Sequence, residues 1–544
     1  MASPVRARRV LFAVAFLCAA SGTSVGAQHE AHSSSALDST AARFGSVSFA
    51  NSGAASAQPA FLRGLALLHN FEYDGAASAF RDAQQRDPGF AMAYWGEAMT
   101  YNHGIWREQD SVKARAVLAR LGATPSERLA KAKTQREKDY LGTLDILYFG
   151  PGTKNGRDSA YAVETGRVAK RYADDADAQL FYSLALLSLF PRTDSTYLRA
   201  AKIAEGIMRD HPGHPGALHY VIHAYDDPAH AAQGLAAARA YSKVAPDAPH
   251  AQHMTSHIFV ALGMWDDVIA ANEASIRTVA KTANASIAPV LGCGHAGIWL
   301  HYAYLQAGRL ADARRLSSAC QERAAKSVGA ASGYAEMRLQ YLVDVEQADP
   351  SLTPIADVSK MPQFVDLTQS YATAYDDLRR GDTSSTNALM AHLHTQTAAI
   401  SGTEMAVMMP EMIGQASVVE MELRAMANSR RGRTGEAIAE LSRAAALEDS
   451  LPYEFGPPPI EKPSHELLGE MLLAAGRPRD ARREFETALK RTPGRSLVLL
   501  GLARACRSMG DDPAATSAYR RLAANWKNAD STIAAVREVR AGAK

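Results

Sequence analysis

The sequence predicts an all-α chain built from helical hairpins that recur every 34 residues. Three observations carry this. His219-Tyr220-Val221-Ile222-His223 and His253-Met254-Thr255-Ser256-His257 are one His-x3-His motif repeated at an offset of 34. Pro212 and Pro246 are also 34 apart, as are Gly476 and Gly510; proline stops a helix and glycine accepts the left-handed turn that follows one. The third observation is size and composition. A chain of 544 residues, 47% hydrophobic and 21% charged, is too long for one ordinary core but suits a helical repeat array.

Taken in order, residues 1–27 read as a signal peptide. Arg6, Arg8 and Arg9 precede the apolar stretch Val10–Ala20, and Val25-Gly26-Ala27 is a small-x-small cleavage site. The apolar stretch is too short for a permanent anchor, so an exported, periplasmic or extracellular chain with no stable membrane anchor is expected. Residues 28–58, rich in Ser, Ala and Gly, read as a disordered leader. Repeat units span 59–103, with Gly64, Ala76, Phe80, Ala83 and Pro88 at regular positions. Residues 104–195 read as degenerate helical hairpins, and 196–325 as the histidine-rich units. Further hairpins follow over 326–450, with turn glycines Gly381 and Gly432. Residues 451–463 form a proline-rich loop carrying Tyr453 and Phe455; proline excludes helix there, and the segment reads as a lid or a plain connector. C-terminal units occupy 464–544, where Ala481, Phe485, Ala488 and Pro493 fall between Gly476 and Gly510.

On these small, aromatic and proline positions the chain resembles tetratricopeptide repeat proteins over most of residues 59–526. It also resembles exported bacterial members of that group with histidine-rich repeats. The resemblance implies a right-handed superhelix, an α-solenoid of about eight to ten hairpins, whose concave groove binds a peptide or protein partner. With each repeat's proline set at position 32, His219 and His253 fall at position 5 of the first helix and His223 and His257 at position 9. The resemblance implies that these positions face the groove side by side and stay partly exposed. His69 and His103 at position 13, and Trp95 at position 5, are implied to line the groove too. His295 and Tyr453 are further groove candidates.

Eight of the seventeen histidines lie between His211 and His257. Residues four apart on a helix share a face, so four imidazoles are expected to converge on a divalent metal, zinc or copper. His250 supplies a fifth ring, with His295, His69 and His103 in reserve. Asp226 and Asp227 are candidate carboxylates for the outer imidazole N–H groups. Neither His-x3-His carries the glutamate of a His-Glu-x-x-His hydrolase, and no nucleophile elbow, phosphate loop or dinucleotide fingerprint occurs. The favoured reading is a binding scaffold rather than an enzyme, with a metal carrier or metal-dependent enzyme as the alternative. A net charge of +2 without a basic stripe gives no reason to expect nucleic acid. In the repeat frame Cys293 precedes a first helix and Cys320 lies near the end of the antiparallel second one, so a Cys293–Cys320 disulfide is expected, with Cys506 a buried thiol.

Overall fold

A computed structural model describes residues 43–282, 292–345, 349–359, 361–401 and 411–544. The signal-peptide assignment and Cys18 lie outside these residues.

Proline and glycine set the helix boundaries. Pro215 and Pro249 occupy the first turns of helices Pro215–Ala224 and Pro249–Ala261, where a missing N–H costs no hydrogen bond. The preceding helices, Asp194–Asp210 and Ala231–Val244, stop just short of Pro212 and Pro246. Gly263, Gly308, Gly432, Gly476 and Gly510 turn the hairpins with φ between 68° and 75°. Successive helices pack antiparallel, and one packing device recurs at both ends of the chain. Phe80 fills the space between Gly64 and Gly96, and Phe485 that between Gly469 and Gly501. A Cβ on any of these four glycines would come within 3.0 Å of the ring. The architecture is an all-α superhelix of tetratricopeptide type, with 25 α-helices among the described residues.

Two segments depart from the expectation. Residues 43–57, expected as part of a disordered leader, instead lie in extended form along the repeats and end in a short 3-10 turn. Phe44 and Phe49 are buried, Ser46 N donates to Gly213 O at 2.8 Å, and Ser52 N donates to Glu137 at 2.7 Å. Two buried aromatics offset the ordering entropy that a Ser/Ala/Gly composition suggests would prevail. The second departure follows helix Ala91–Met99, which is only nine residues long. There Asn102–His103 pairs antiparallel with Glu108–Gln109 around the 3-10 turn Gly104–Trp106. His103 therefore sits in a strand, off the helical position the repeat frame gave it.

The C-terminal units fold back onto the turns of the histidine-rich units. Trp265 Nε1 donates to Gly494 O at 3.0 Å, Asp530 N to Gly308 O at 2.9 Å, and Ser496 N to Gln306 Oε1 at 2.9 Å. Arg495, fully buried, donates to Glu466, to Asp344 at 2.5 Å and to Tyr302 Oη at 3.1 Å. Such a buried ion network fixes one register between distant units more than it adds net stability.

Cys293 and Cys320 are disulfide-bonded with Cα atoms 5.5 Å apart, and Cys506 is a buried thiol. The bridge closes a separation of 27 residues, for which chain entropy gives roughly 3–4 kcal/mol. Alkylation of unreduced, denatured protein lacking residues 1–27 is expected to label Cys506 alone; reduction should expose two further thiols and lower the melting temperature.

Candidate metal centre

The 34-residue repeat places the histidines as follows. Helix Pro215–Ala224 carries His219 and His223 on one face. Helix Pro249–Ala261 carries His253 and His257 on the equivalent face, with His250 in its first turn. His295 begins the next first-helix, His295–Gln306. The expected single set of four does not form. Each His-x3-His pair instead collects a third imidazole from the N-terminal turn of the following first-helix. One potential ligand atom from each of His219, His223 and His250 lies within 4.8 Å of the others, and the same holds for His253, His257 and His295. The two triads touch: ring centroids are 5.8 Å apart for His223 and His257 and 6.2 Å apart for His250 and His253.

Hydrogen bonds to the outer nitrogens orient the rings. His219 Nδ1 donates to the His69 carbonyl at 2.7 Å, which leaves a lone pair on Nε2, 3.2 Å from His250 Nε2. His257 Nδ1 donates to Asp226 Oδ2 at 2.5 Å. His253 Nδ1 donates to Asn272 Oδ1 at 2.6 Å, and Asn272 is held in that orientation because its own Nδ2 donates to Val268 O at 2.9 Å. As neutral rings, His253 and His257 then point two lone pairs at each other across 3.2 Å. That contact is repulsive unless a cation, a proton or a metal ion, lies between them. Two tetrahedral ligands at Zn–N distances of 2.0–2.1 Å would stand about 3.3 Å apart. Asp226 thus takes the outer-carboxylate place expected of it. Asp227 does not: it accepts from His230 Nδ1 at 2.9 Å and from Arg192 at 3.0 Å.

The partial exposure expected of the four histidines is also corrected. His219, His223, His253 and His257 are 0%, 3%, 3% and 2% exposed. Aromatic side chains fill the space in front of them. Phe71 packs on His219 with centroids 4.2 Å apart, and Trp106 approaches His250 at 6.0 Å. Trp299 lies on His257 at 4.2 Å. Phe455, from the proline-rich loop, covers His257 at 5.3 Å and His223 at 6.3 Å. The loop is thus a lid over the histidines. Burial pulls the His219 pKa down to about 3. Burial and the surrounding His219, His257, Arg192 and His253 hold His223 well below the usual imidazole range. Both stay neutral and ligand-competent in weak acid. The first triad is also flanked by backbone strain: Phe71 and Arg107 have φ of 57° and 59°, a conformation that costs about 1–3 kcal/mol in a non-glycine residue.

The lid closes through Gly456, whose φ is 101° and whose added Cβ would sit 2.4 Å from Trp299 Cζ2. Gly456→Ala is expected to lift the loop from Trp299, to cost about 1–3 kcal/mol, and to speed metal removal by a chelator. Differential scanning fluorimetry and chelator-exchange kinetics would measure the two effects.

The remaining candidates are placed differently. Trp95, expected in the groove, is core: Phe49, Tyr140 and Phe181 surround it. His69 is buried, with Nδ1 2.9 Å from Tyr220 Oη and Nε2 2.8 Å from Asp177; His214 Nε2 lies 3.5 Å from the same carboxylate. Burial opposes the charge on Asp177, yet the two imidazoles beside it, His214 in close approach and His69 in hydrogen bond, hold its pKa far below the usual carboxylate range. This group stands behind the first triad and reaches it through the His69 carbonyl. His103 stacks on Tyr73 at 4.0 Å, apart from the triads. Tyr453 is half-buried in the lid, its pKa pushed up by burial and Asp226. Sequence reasoning missed Asn272, Phe71, Asp177 and His214; no spacing pairs them with the His-x3-His motifs.

Residues 472–537 match the family model described as tetratricopeptide repeat. None of the curated proteins compared matches the chain. Among solved structures it is similar to yeast Tom70, at 12% identity over 89% of this chain and 87% of that one, TM-score 0.28. It is similar to the human IFIT1 dimer with m7Gppp-AAAA, at 12% identity over 89% and 92%, TM-score 0.35. It is similar also to the APC/C hetero-tetramer Cut9-Hcn1, at 10% identity over 90% and 78%, TM-score 0.32.

Proposed function

We propose that this chain is an exported repeat scaffold whose histidine-rich units hold two transition-metal ions, one in each tris-imidazole set, beneath an aromatic lid. The observation that carries the reading is the pair of anchored rings at His253 and His257. Their Nδ1 protons are committed to Asn272 and Asp226, and their Nε2 atoms face each other at 3.2 Å. Outer hydrogen bonds that fix the tautomer are how proteins prepare imidazole for a metal, and three imidazoles suit zinc or copper. A fourth, open position on each ion suits a carrier or a reactive centre equally. The test is metal titration of untagged, chelator-stripped protein. Binding of zinc or copper that saturates at two ions per chain supports the reading; no retained metal at either set sinks it.

A protein-partner role is a second reading, and a different surface favours it. A cleft of about 620 Å³ is lined by Leu305, Tyr341, Leu500 and Trp526 together with Asp344 and Asp530, away from the covered histidines. Chemical-shift or hydrogen-exchange changes at Leu500 and Trp526 on adding a peptide ligand would support it; changes confined to the lid would not.

A further inference from the structure

We infer that the two ions are a copper pair acting as one unit, and that the ligand they take between them is dioxygen. This rests on the two-ion reading above and goes further in the identity of the metal, the coupling and the substrate.

The argument begins with charge. Neither triad contains a carboxylate or a thiolate. The anions beside the rings stand outside the triads: Asp226 accepts from His257 Nδ1, and the buried Glu72 accepts from the His250 backbone N–H at 3.0 Å. Two divalent ions would bring four positive charges into a buried site against these two carboxylates, and uncompensated buried charge is costly. Two copper(I) ions bring half that charge, and neutral imidazole is a ligand copper accepts in both its oxidation states. The second point is adjacency. His223 and His257 belong to different triads yet their rings are in contact, as are those of His250 and His253. The two ligand sets share a wall of imidazole, so each ion is the other's neighbour. The third point is the lining. Phe71, Trp106, Trp299 and Phe455 close over the rings and leave His219, His223, His253 and His257 no more than 3% exposed, a cover that favours a small ligand over a bulky organic substrate. A pair of one-electron donors under an apolar cover matches the needs of dioxygen. Each copper(I) gives one electron, becoming copper(II), and dioxygen takes both to reach the peroxide level between the two ions. No proton or outside reductant is needed, and the anion so formed supplies the negative charge that the protein does not.

The experiment loads untagged, stripped protein anaerobically with copper(I) as its acetonitrile complex, then admits oxygen. Expected are two copper per chain, an X-ray absorption edge that moves to copper(II), a new near-ultraviolet band, and a silent electron paramagnetic resonance spectrum because the two spins couple. Acid quenching should release one peroxide for each pair. His257→Ala, checked for native circular dichroism, should keep one copper, give no peroxide, and show an isolated copper(II) signal on slow oxidation. If the wild-type protein binds two copper but shows two isolated spins, or stays reduced in oxygen, the inference is wrong and the two-ion reading survives. If zinc binds twice and copper(I) does not, the inference likewise falls alone. If neither metal is retained, both fall.

Discussion

Replacing His223 and His257 together with alanine is expected to reduce bound metal from two ions per chain to none after dialysis. Each substitution leaves two imidazoles where three converged, one in each triad. Loss of an outer hydrogen-bond partner alone typically costs about 10–100-fold in metal affinity, and loss of a ligand costs more. Asp226→Asn supplies the milder comparison. It keeps all six rings but replaces the acceptor of His257 Nδ1, so affinity should fall about 10–100-fold in the second triad while the first is unchanged. Isothermal titration of each variant, with circular dichroism to show that it remains folded, measures both effects. Unchanged stoichiometry in the double variant would place the metal elsewhere.

The metal-free protein is expected to lose stability in weak acid through its buried histidines. Burial holds His219 at about 3, His301 at about 4, and His223 well below 6.5, whereas in the unfolded chain each takes a proton near 6.5. The unfolded state therefore binds more protons, so stability is fully present above pH 6.5 and declines as pH falls toward 3–4. Each such group contributes up to about 1.4 kcal/mol per pH unit. Burial raises Asp344 to about 6, Glu336 to about 7 and Glu461 to about 8, which acts in the opposite sense. The histidine share is accordingly read from the difference between wild type and His219→Gln in urea melts at pH 7 and pH 4.5. Wild type should lose more than the variant on acidification; equal losses would show that His219 is not held neutral. The same burial shifts proton competition for the metal sites below the pH near 6.5 expected of free imidazole.

The fold was legible because its signals are local. The proline and glycine punctuation at Pro212, Pro246, Gly476 and Gly510 dictates where each helix stops, whatever the rest of the chain does. The repeat also showed that the two His-x3-His pairs share a face, since helix period and repeat length are both properties of sequence. Their grouping was not legible. Whether His250 joins His219 and His223 or the pair on its own helix depends on the offset between neighbouring helices, which no spacing encodes. Exposure was misjudged for a related reason. Phe71, Trp106 and Phe455 come from three distant segments, and only the closing of the superhelix lays them over the rings. His103 and Trp95 were misplaced because the frame assumed a full-length first helix and an open groove. The chain ends that helix at Met99 and lays Phe49 against Trp95.

The most direct test of the metal centre is anomalous diffraction at the copper and zinc edges from crystals of untagged, metal-loaded protein. Two peaks are expected beneath Phe455, one bonded to His219, His223 and His250 and the other to His253, His257 and His295, with bonds of about 2.0–2.1 Å. No anomalous density at either triad in protein that retains metal in solution would contradict the account.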